Sequence, residues 1–147
     1  MIGLCLASGA LSAFIAGSAF TLAWTHSIEK QRWEEDWRIE ASADDALQLQ
    51  LHLLEGRIHG SGAGMEPPDG ARLEQGVWHY PVNLRLTQLS LAHSAYTAGY
   101  ELCVDGHCTA LSDRLPGLPA LPEQPTSIAL WGCRGEEPGQ GGGAVED

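Results

Sequence analysis

Polar and apolar residues alternate along residues 20–41, and this alternation predicts a long β-hairpin. On the first arm the even-numbered positions are large and mostly apolar, which is the two-residue period of a half-buried strand. The second arm repeats the pattern, with Trp33, Trp37 and Ile39 on one side and charged residues on the other. Glu35 interrupts the apolar side. The predicted hairpin therefore has a face that is rich in tryptophan and carries one carboxylate.

The register of this hairpin decides which side chains meet. A turn centred on residues 30–31 places His26 opposite Glu35, and it pairs Trp24 with Trp37. Directly opposed residues have Cβ atoms roughly 5 Å apart, so an imidazole and a carboxylate are expected to pair on an otherwise apolar surface. Such a pair serves either as a structural ion pair or as part of a functional site, and both interpretations stay open.

A helix is the alternative for the second arm. Trp33 and Trp37 also have the i, i+4 spacing of neighbours on a helix. Residues 29–32 contain no Gly or Asn, the residues that favour tight hairpin turns. The alternation over both arms favours the hairpin.

The N-terminal segment is apolar and predicts two short strands, residues 2–7 and 10–16, joined at Ser8 and Gly9. A signal peptide begins with a positively charged region, but no Lys or Arg precedes Lys30. Serines and glycines also interrupt the run well before the ~20 apolar residues of a membrane span. We therefore expect no membrane span and a cytoplasmic location, with a cleaved or anchoring segment as the alternative.

A glycine-rich loop follows the next predicted strand. Leucines alternate with polar residues over residues 47–53, which predicts a half-buried strand that continues to Ile58. Glycines then precede two prolines in residues 60–70. Such a backbone can adopt positive φ and bring N–H groups close to a ligand. The loop is either an anion-binding nest or a tight corner between strands.

Two further apolar segments carry the chain towards its second half. Residues 76–80 predict a short strand with Trp78 and Tyr80 on one face, and Pro81 is expected to end it. The leucines that follow change phase between Leu86 and Leu89, which predicts a bulge or one helical turn.

Asp105 and Gly106 are the strongest local signal, because this dipeptide favours a type I′ hairpin turn. The turn places Cys103 opposite Cys108, within disulfide range. A zinc site that adds His107 is the alternative, although no second Cys/His pair lies near in sequence. Cys5 and Cys133 lie in apolar runs at the two ends of the chain, where they are either paired or buried as free thiols.

Composition limits the fold and the partners. The chain has 147 residues, enough for one core, with 18 Gly and 8 Pro between short apolar runs. We predict an all-β fold, a single small β-barrel or sandwich built from hairpins over residues 1–134, and a disordered acidic tail over 135–147. The net charge of −11 argues against nucleic acids and anionic membranes as partners. We expect no cofactor and no metal.

Three motifs together resemble a known family. They are THSIEK with WEEDW in residues 25–37, GSGAGMEPPDGA in residues 60–71, and ELCVDGHC in residues 101–108. Over about residues 2–114, the chain is similar to the bacterial family named domain of unknown function 1850. The positions that match the family's pattern are His26, Ser27, Glu29, Trp33, Glu35, Gly62, Gly64, Met65, Glu66 and Pro67.

The resemblance implies a partner rather than a reaction. Family members are small proteins with no assigned activity, typically encoded beside TRAP transporters of the TAXI type. These transporters take up organic acids with a periplasmic binding protein and an ion gradient. The resemblance and the paired cysteines make the periplasm the alternative location, although this chain lacks the clear hydrophobic leader of many relatives.

We therefore expect a non-catalytic accessory or binding module whose partners are transporter components and a small organic acid. A carboxylate ligand would need a cation such as Arg57 or Lys30 nearby. One alternative is a small hydrolase-like enzyme that uses the His26/Glu35 pair, although His26 and Ser27 point to opposite faces of a strand and no G-x-S-x-G or H-E-x-x-H motif occurs. The other is a purely structural domain that binds another protein through its tryptophan-rich face.

Overall fold

The computed structural model describes residues 1–25, 31–60, 68–96 and 99–135. Within these ranges the chain is built from β-strands and one short 3-10 helix, and no helix there is long and apolar enough to cross a membrane. The elements are β1 (Ile2–Ser8), β2 (Leu11–Ala16), β3 (Ala19–Thr25), β4 (Arg32–Ala41), β5 (Leu49–His59), β6 (Arg72–Glu74), β7 (Val77–Leu86), β8 (Leu89–His93), β9 (Glu101–Val104), β10 (His107–Ala110), η1 (Leu111–Arg114) and β11 (Thr126–Arg134).

The strands form two antiparallel sheets, which confirms the predicted all-β fold. One sheet has the order β2-β1-β11-β8 and the other the order β10-β9-β3-β4-β5-β7-β6. Each sheet ends in edge strands within the described residues, so the fold is the predicted sandwich rather than a closed barrel. The sheets approach closely at Gly132 of β11, where a Cβ atom would lie only 2.7 Å from Cγ2 of Ile39.

Alternating residues on the two inner faces form the core. The four-stranded sheet contributes leucine and isoleucine from β1, β8 and β11, and the seven-stranded sheet contributes the apolar side of the long hairpin and of β5. The buried members are Leu4, Leu6, Phe20, Leu22, Trp37, Ile39, Leu49, Leu51, Leu53, Leu91, Leu102, Leu111, Leu115, Ile128 and Leu130. Ile58 of β5 is also fully buried but packs outside this cluster, so the inner face of the larger sheet extends beyond the core.

The predicted hairpin is confirmed as β3 and β4, which excludes a helix over residues 32–41, but its predicted register is wrong by four residues. Trp24 lies opposite Trp33, and Glu35 lies opposite Leu22 rather than opposite His26. Because four is an even number, each side chain stays on its predicted face. The turn residues give no strong signal for the register. In the observed register the rings of Trp24 and Trp33 stack with their centroids 6.2 Å apart, and such a cross-strand aromatic pair stabilises it.

The prediction that Pro81 ends a strand is wrong, because β7 continues through it to Leu86. Pro81 lies beyond the last residue of β7 that pairs with β6, where the register between β5 and β7 also shifts. A missing N–H costs little at such an irregular edge position. The phase change between Leu86 and Leu89 is neither a bulge nor a helical turn, because the chain crosses there from one sheet to the other.

Both cysteine pairs form disulfides. Asp105 and Gly106 have φ values of 53° and 83°, as the predicted type I′ turn requires, and the bond between Cys103 and Cys108 crosses the β9–β10 hairpin. The zinc alternative is wrong, because neither sulfur is a free thiolate. Cys5 and Cys133 join β1 to β11 with a Cα–Cα distance of 5.9 Å, which resolves the choice left open by the sequence.

Candidate functional site

Two of the residues predicted to form the site are described by the structure. Trp33 and Glu35 lie on the inner face of β4, two residues apart, so their side chains point to the same side. The other predicted site residues lie outside the described ranges: His26, Ser27, Glu29, Gly62, Gly64, Met65 and Glu66. Pro67 of the glycine-rich motif also lies outside them.

Glu35 is a carboxylate in an apolar setting. Its cross-strand neighbours are Leu22 on β3 and Gly56 on β5, and its Oε1 accepts a hydrogen bond of 3.3 Å from Nε1 of Trp37. No Lys, Arg or His side chain of the described residues forms an ion pair with it. Burial raises the pKa of Glu35, and the hydrogen bond from Trp37 opposes that rise only in part. The ionised form of Glu35 therefore lowers the free energy of unfolding of the domain.

Tyr80 of β7 lies over Gly56, next to this carboxylate. A Cβ atom at Gly56 would lie 2.6 Å from Cε2 of Tyr80, so the ring occupies the space that any larger residue would fill. Burial and then the charge of Glu35 raise the pKa of Tyr80, and the same two causes raise the pKa of Tyr100. Both phenol groups are thus within electrostatic range of Glu35.

Indole rings complete the surroundings. Trp24 stacks on Trp33 and is tilted by 59° against Tyr100, whose ring centroid is 5.6 Å away. Trp78 lies opposite Ile58, which lies opposite Trp33, so all three share the inner face. We call Trp24, Trp33, Trp78, Tyr80 and Tyr100, together with Glu35, the aromatic patch. Its five rings are half-buried, whereas Trp37 is only 3 % exposed and belongs to the core.

The sequence did not predict that Trp78, Tyr80, Tyr100 and Gly56 lie at this site. It placed Trp78 and Tyr80 on one face of a strand, but nothing local shows that β7 pairs with β5 beside the hairpin. Tyr100 is the residue that precedes β9, and no sequence pattern indicated that it belongs to the site. Gly56 did give one, because an isolated glycine within a strand pattern often marks the close approach of another group.

The opposite face of the same strands is highly charged, and Arg57 lies at its centre. Arg57 donates to Oδ1 of Asp36 at 2.8 Å and to Oε1 of Glu34 at 2.9 Å, and it also contacts Glu55 at 3.3 Å. Asp36 and then Glu34 raise the pKa of Arg57 against the opposing effect of burial. A guanidinium that three carboxylates hold, on the face opposite Glu35, is not available to bind an organic acid at the aromatic patch.

Glu34 shows how strongly this outer face stabilises negative charge. It accepts hydrogen bonds from Arg32 and Arg57 and lies 2.9 Å from Nε2 of His59. Burial alone would raise its pKa, but these partners together hold the pKa of Glu34 at about 2. The charged groups at the centre of the outer face already form ion pairs with one another. They therefore have less to gain from a ligand than the carboxylate of Glu35 on the inner face.

Comparison with known proteins supports one assignment. The chain matches none of the curated proteins and none of the solved structures. One family model matches residues 20–111, which run from β3 to the first residue of η1 and include every member of the aromatic patch. The chain therefore belongs to the family described as Domain of unknown function (DUF1850).

Proposed function

We propose that this domain is a non-catalytic module that binds a protein component of a TAXI-type TRAP transporter through the aromatic patch. The observation that carries the proposal is the patch itself, five half-buried rings around a carboxylate on a sheet face that extends beyond the core. Large aromatic side chains of this kind are enriched at the centres of protein interfaces. The link to the transporter rests on the resemblance of the three sequence motifs.

The disulfides support a choice among the transporter's components. All four cysteines of the chain are paired, a pattern typical of proteins in oxidising compartments such as the bacterial periplasm. The periplasmic binding protein of the transporter is present in that compartment. We take it as the partner.

The hydrolase alternative has less support. In that mechanism His26 lies opposite Glu35, and the Glu35 carboxylate orients the His26 imidazole. The residue opposite Glu35 in the sheet is Leu22. The described side chains around Glu35 are otherwise indoles, phenols and aliphatic groups, which are poor nucleophiles at neutral pH. A binding role requires only the described residues of the patch.

Direct binding tests the proposal. The purified domain is immobilised with its disulfides intact, and the transporter's periplasmic binding protein is passed over it. We expect saturable binding that Trp33→Ala weakens by about tenfold or more, as loss of a central aromatic residue does. Phe14→Ala is the matched control, because it removes a ring from β2 of the other sheet. A correctly folded Trp33→Ala variant with unchanged affinity, or no binding by the wild type, would contradict the proposal.

A further inference from the structure

We propose that the aromatic patch recognises a basic side chain, a lysine or an arginine, which the partner protein inserts beside Glu35. This inference rests on the proposed function and specifies the chemistry of the partner at the same site. It follows from three properties that the described residues give the patch: a carboxylate with no ion-pair partner among them, aromatic faces, and no surrounding cation.

The carboxylate is the first argument. Within the described part of the chain Glu35 has one hydrogen-bond donor, the neutral indole of Trp37, and its neighbours on the two adjacent strands are Leu22 and Gly56. A half-buried charge with so few partners costs free energy, which an entering cation would offset. An ammonium or guanidinium group supplies both the opposite charge and the missing N–H donors.

The rings supply the second argument. The faces of Trp and Tyr rings carry partial negative charge and attract cations that lie within about 6 Å of the ring centroid. Trp24 contacts both Trp33 and Tyr100, so three rings adjoin one another at one end of the hairpin. The aliphatic stem of a lysine or arginine also packs well against such rings.

The third argument separates a cation from the expected organic acid. An anion at the patch would meet the charge of Glu35. Of the two cations named above for such an anion, Lys30 lies outside the described residues, and Arg57 is engaged by Glu34, Asp36 and Glu55 on the other face. Charge complementarity therefore favours a basic group over a carboxylate. The patch is suited to contact the transporter protein rather than its cargo.

Two measurements test this inference. The first uses N-acetyl-lysine methylamide as the probe and follows the tryptophan fluorescence of the full chain. We expect a saturable change that Glu35→Gln weakens by about tenfold, whereas Glu74→Gln, which removes an equal charge from exposed β6, changes the affinity by less than about twofold. Succinate at the same ionic strength should not compete. Unchanged probe affinity in Glu35→Gln, or preferential binding of succinate, would overturn the inference.

The second measurement distinguishes this inference from the proposed function. Trp33→Ala and Glu35→Gln are each tested against the periplasmic binding protein. If Trp33→Ala abolishes binding while Glu35→Gln retains wild-type affinity, the interface exists and cation recognition is wrong. If the wild type does not bind that protein but binds the lysine probe through Glu35, the assigned partner is wrong and cation recognition stands.

Discussion

Glu34 and Glu35 are adjacent in the chain, yet the sheet directs their carboxylates to opposite faces and shifts their pKa values in opposite directions. Arg32, Arg57 and His59 surround Glu34 and lower its pKa to about 2. Glu35 faces apolar and aromatic neighbours, and burial raises its pKa. One carboxylate therefore stabilises the folded domain, and the other destabilises it while it remains charged.

We expect Glu35→Gln to stabilise the protein at neutral pH. The pKa of Glu35 is higher in the folded state than its ordinary value of 4.5, so the ionised form is disfavoured by folding. The cost is absent below about pH 4.5 and appears as the pH rises through the folded pKa. Gln removes the charge and can still accept the hydrogen bond from Trp37.

Urea denaturation of the wild type and Glu35→Gln at pH 7 and at pH 4 measures this difference. The variant should have the higher midpoint at pH 7, and the gap should shrink at pH 4. A variant that is less stable than the wild type at pH 7 would show that Glu35 is a structural residue.

We expect Glu34→Gln to destabilise the protein by roughly 2 kcal/mol at pH 7, a value reduced for solvent screening of the partly exposed partners. Because the folded pKa of Glu34 is lowered to about 2, its contribution is fully present above pH 4.5 and is lost as the pH falls towards 2. Denaturation midpoints measured across this range should converge for the wild type and the variant. A difference between the two midpoints that stays constant from pH 7 to pH 2 would contradict a stabilising role for the Glu34 charge.

Gly56→Ala should displace Tyr80, because the new Cβ atom would overlap the ring. Overpacking of this kind typically costs about 1–3 kcal/mol. Gly99→Ala is the matched control, since no atom of the described residues lies within 4 Å of a Cβ atom there and its φ is not in the left-handed region. In a Tyr80→Ala background the cost of Gly56→Ala should fall, and purely additive effects in this double-mutant cycle would argue against the contact.

The two disulfides should differ in their contribution to stability. Cys5 and Cys133 are 128 residues apart, whereas Cys103 and Cys108 are separated by 5. In the chain-entropy model the long loop contributes about 5 kcal/mol and the short one about 2 kcal/mol. Each pair is replaced by alanines, and the free energy of unfolding is measured by urea denaturation. It should fall further when the Cys5–Cys133 pair is removed, and the reverse order would contradict the model.

The candidate site could be predicted only in part from the sequence. Alternation along the hairpin identified Trp33 and Glu35 as neighbours on an apolar face, and this is confirmed. The register that placed His26 opposite Glu35 is wrong, because no turn signal specifies it; Leu22 takes that position, and His26 itself lies outside the described residues. Tyr80 on β7 and Tyr100, the residue before β9, come within electrostatic range of Glu35 through strand pairings that no local pattern encodes.

The sequence by itself determined the two strands of the β3–β4 hairpin, the faces on which their side chains lie and the β9–β10 turn with its disulfide. These properties are local, since side-chain direction repeats every two residues and a type I′ turn depends on one dipeptide. The tertiary structure decided the hairpin register, the passage of β7 through Pro81, the pairing of Cys5 with Cys133 and the set of rings around Glu35. Each of these depends on which distant strands pack together, and that choice minimises the free energy of the whole core rather than of any one segment.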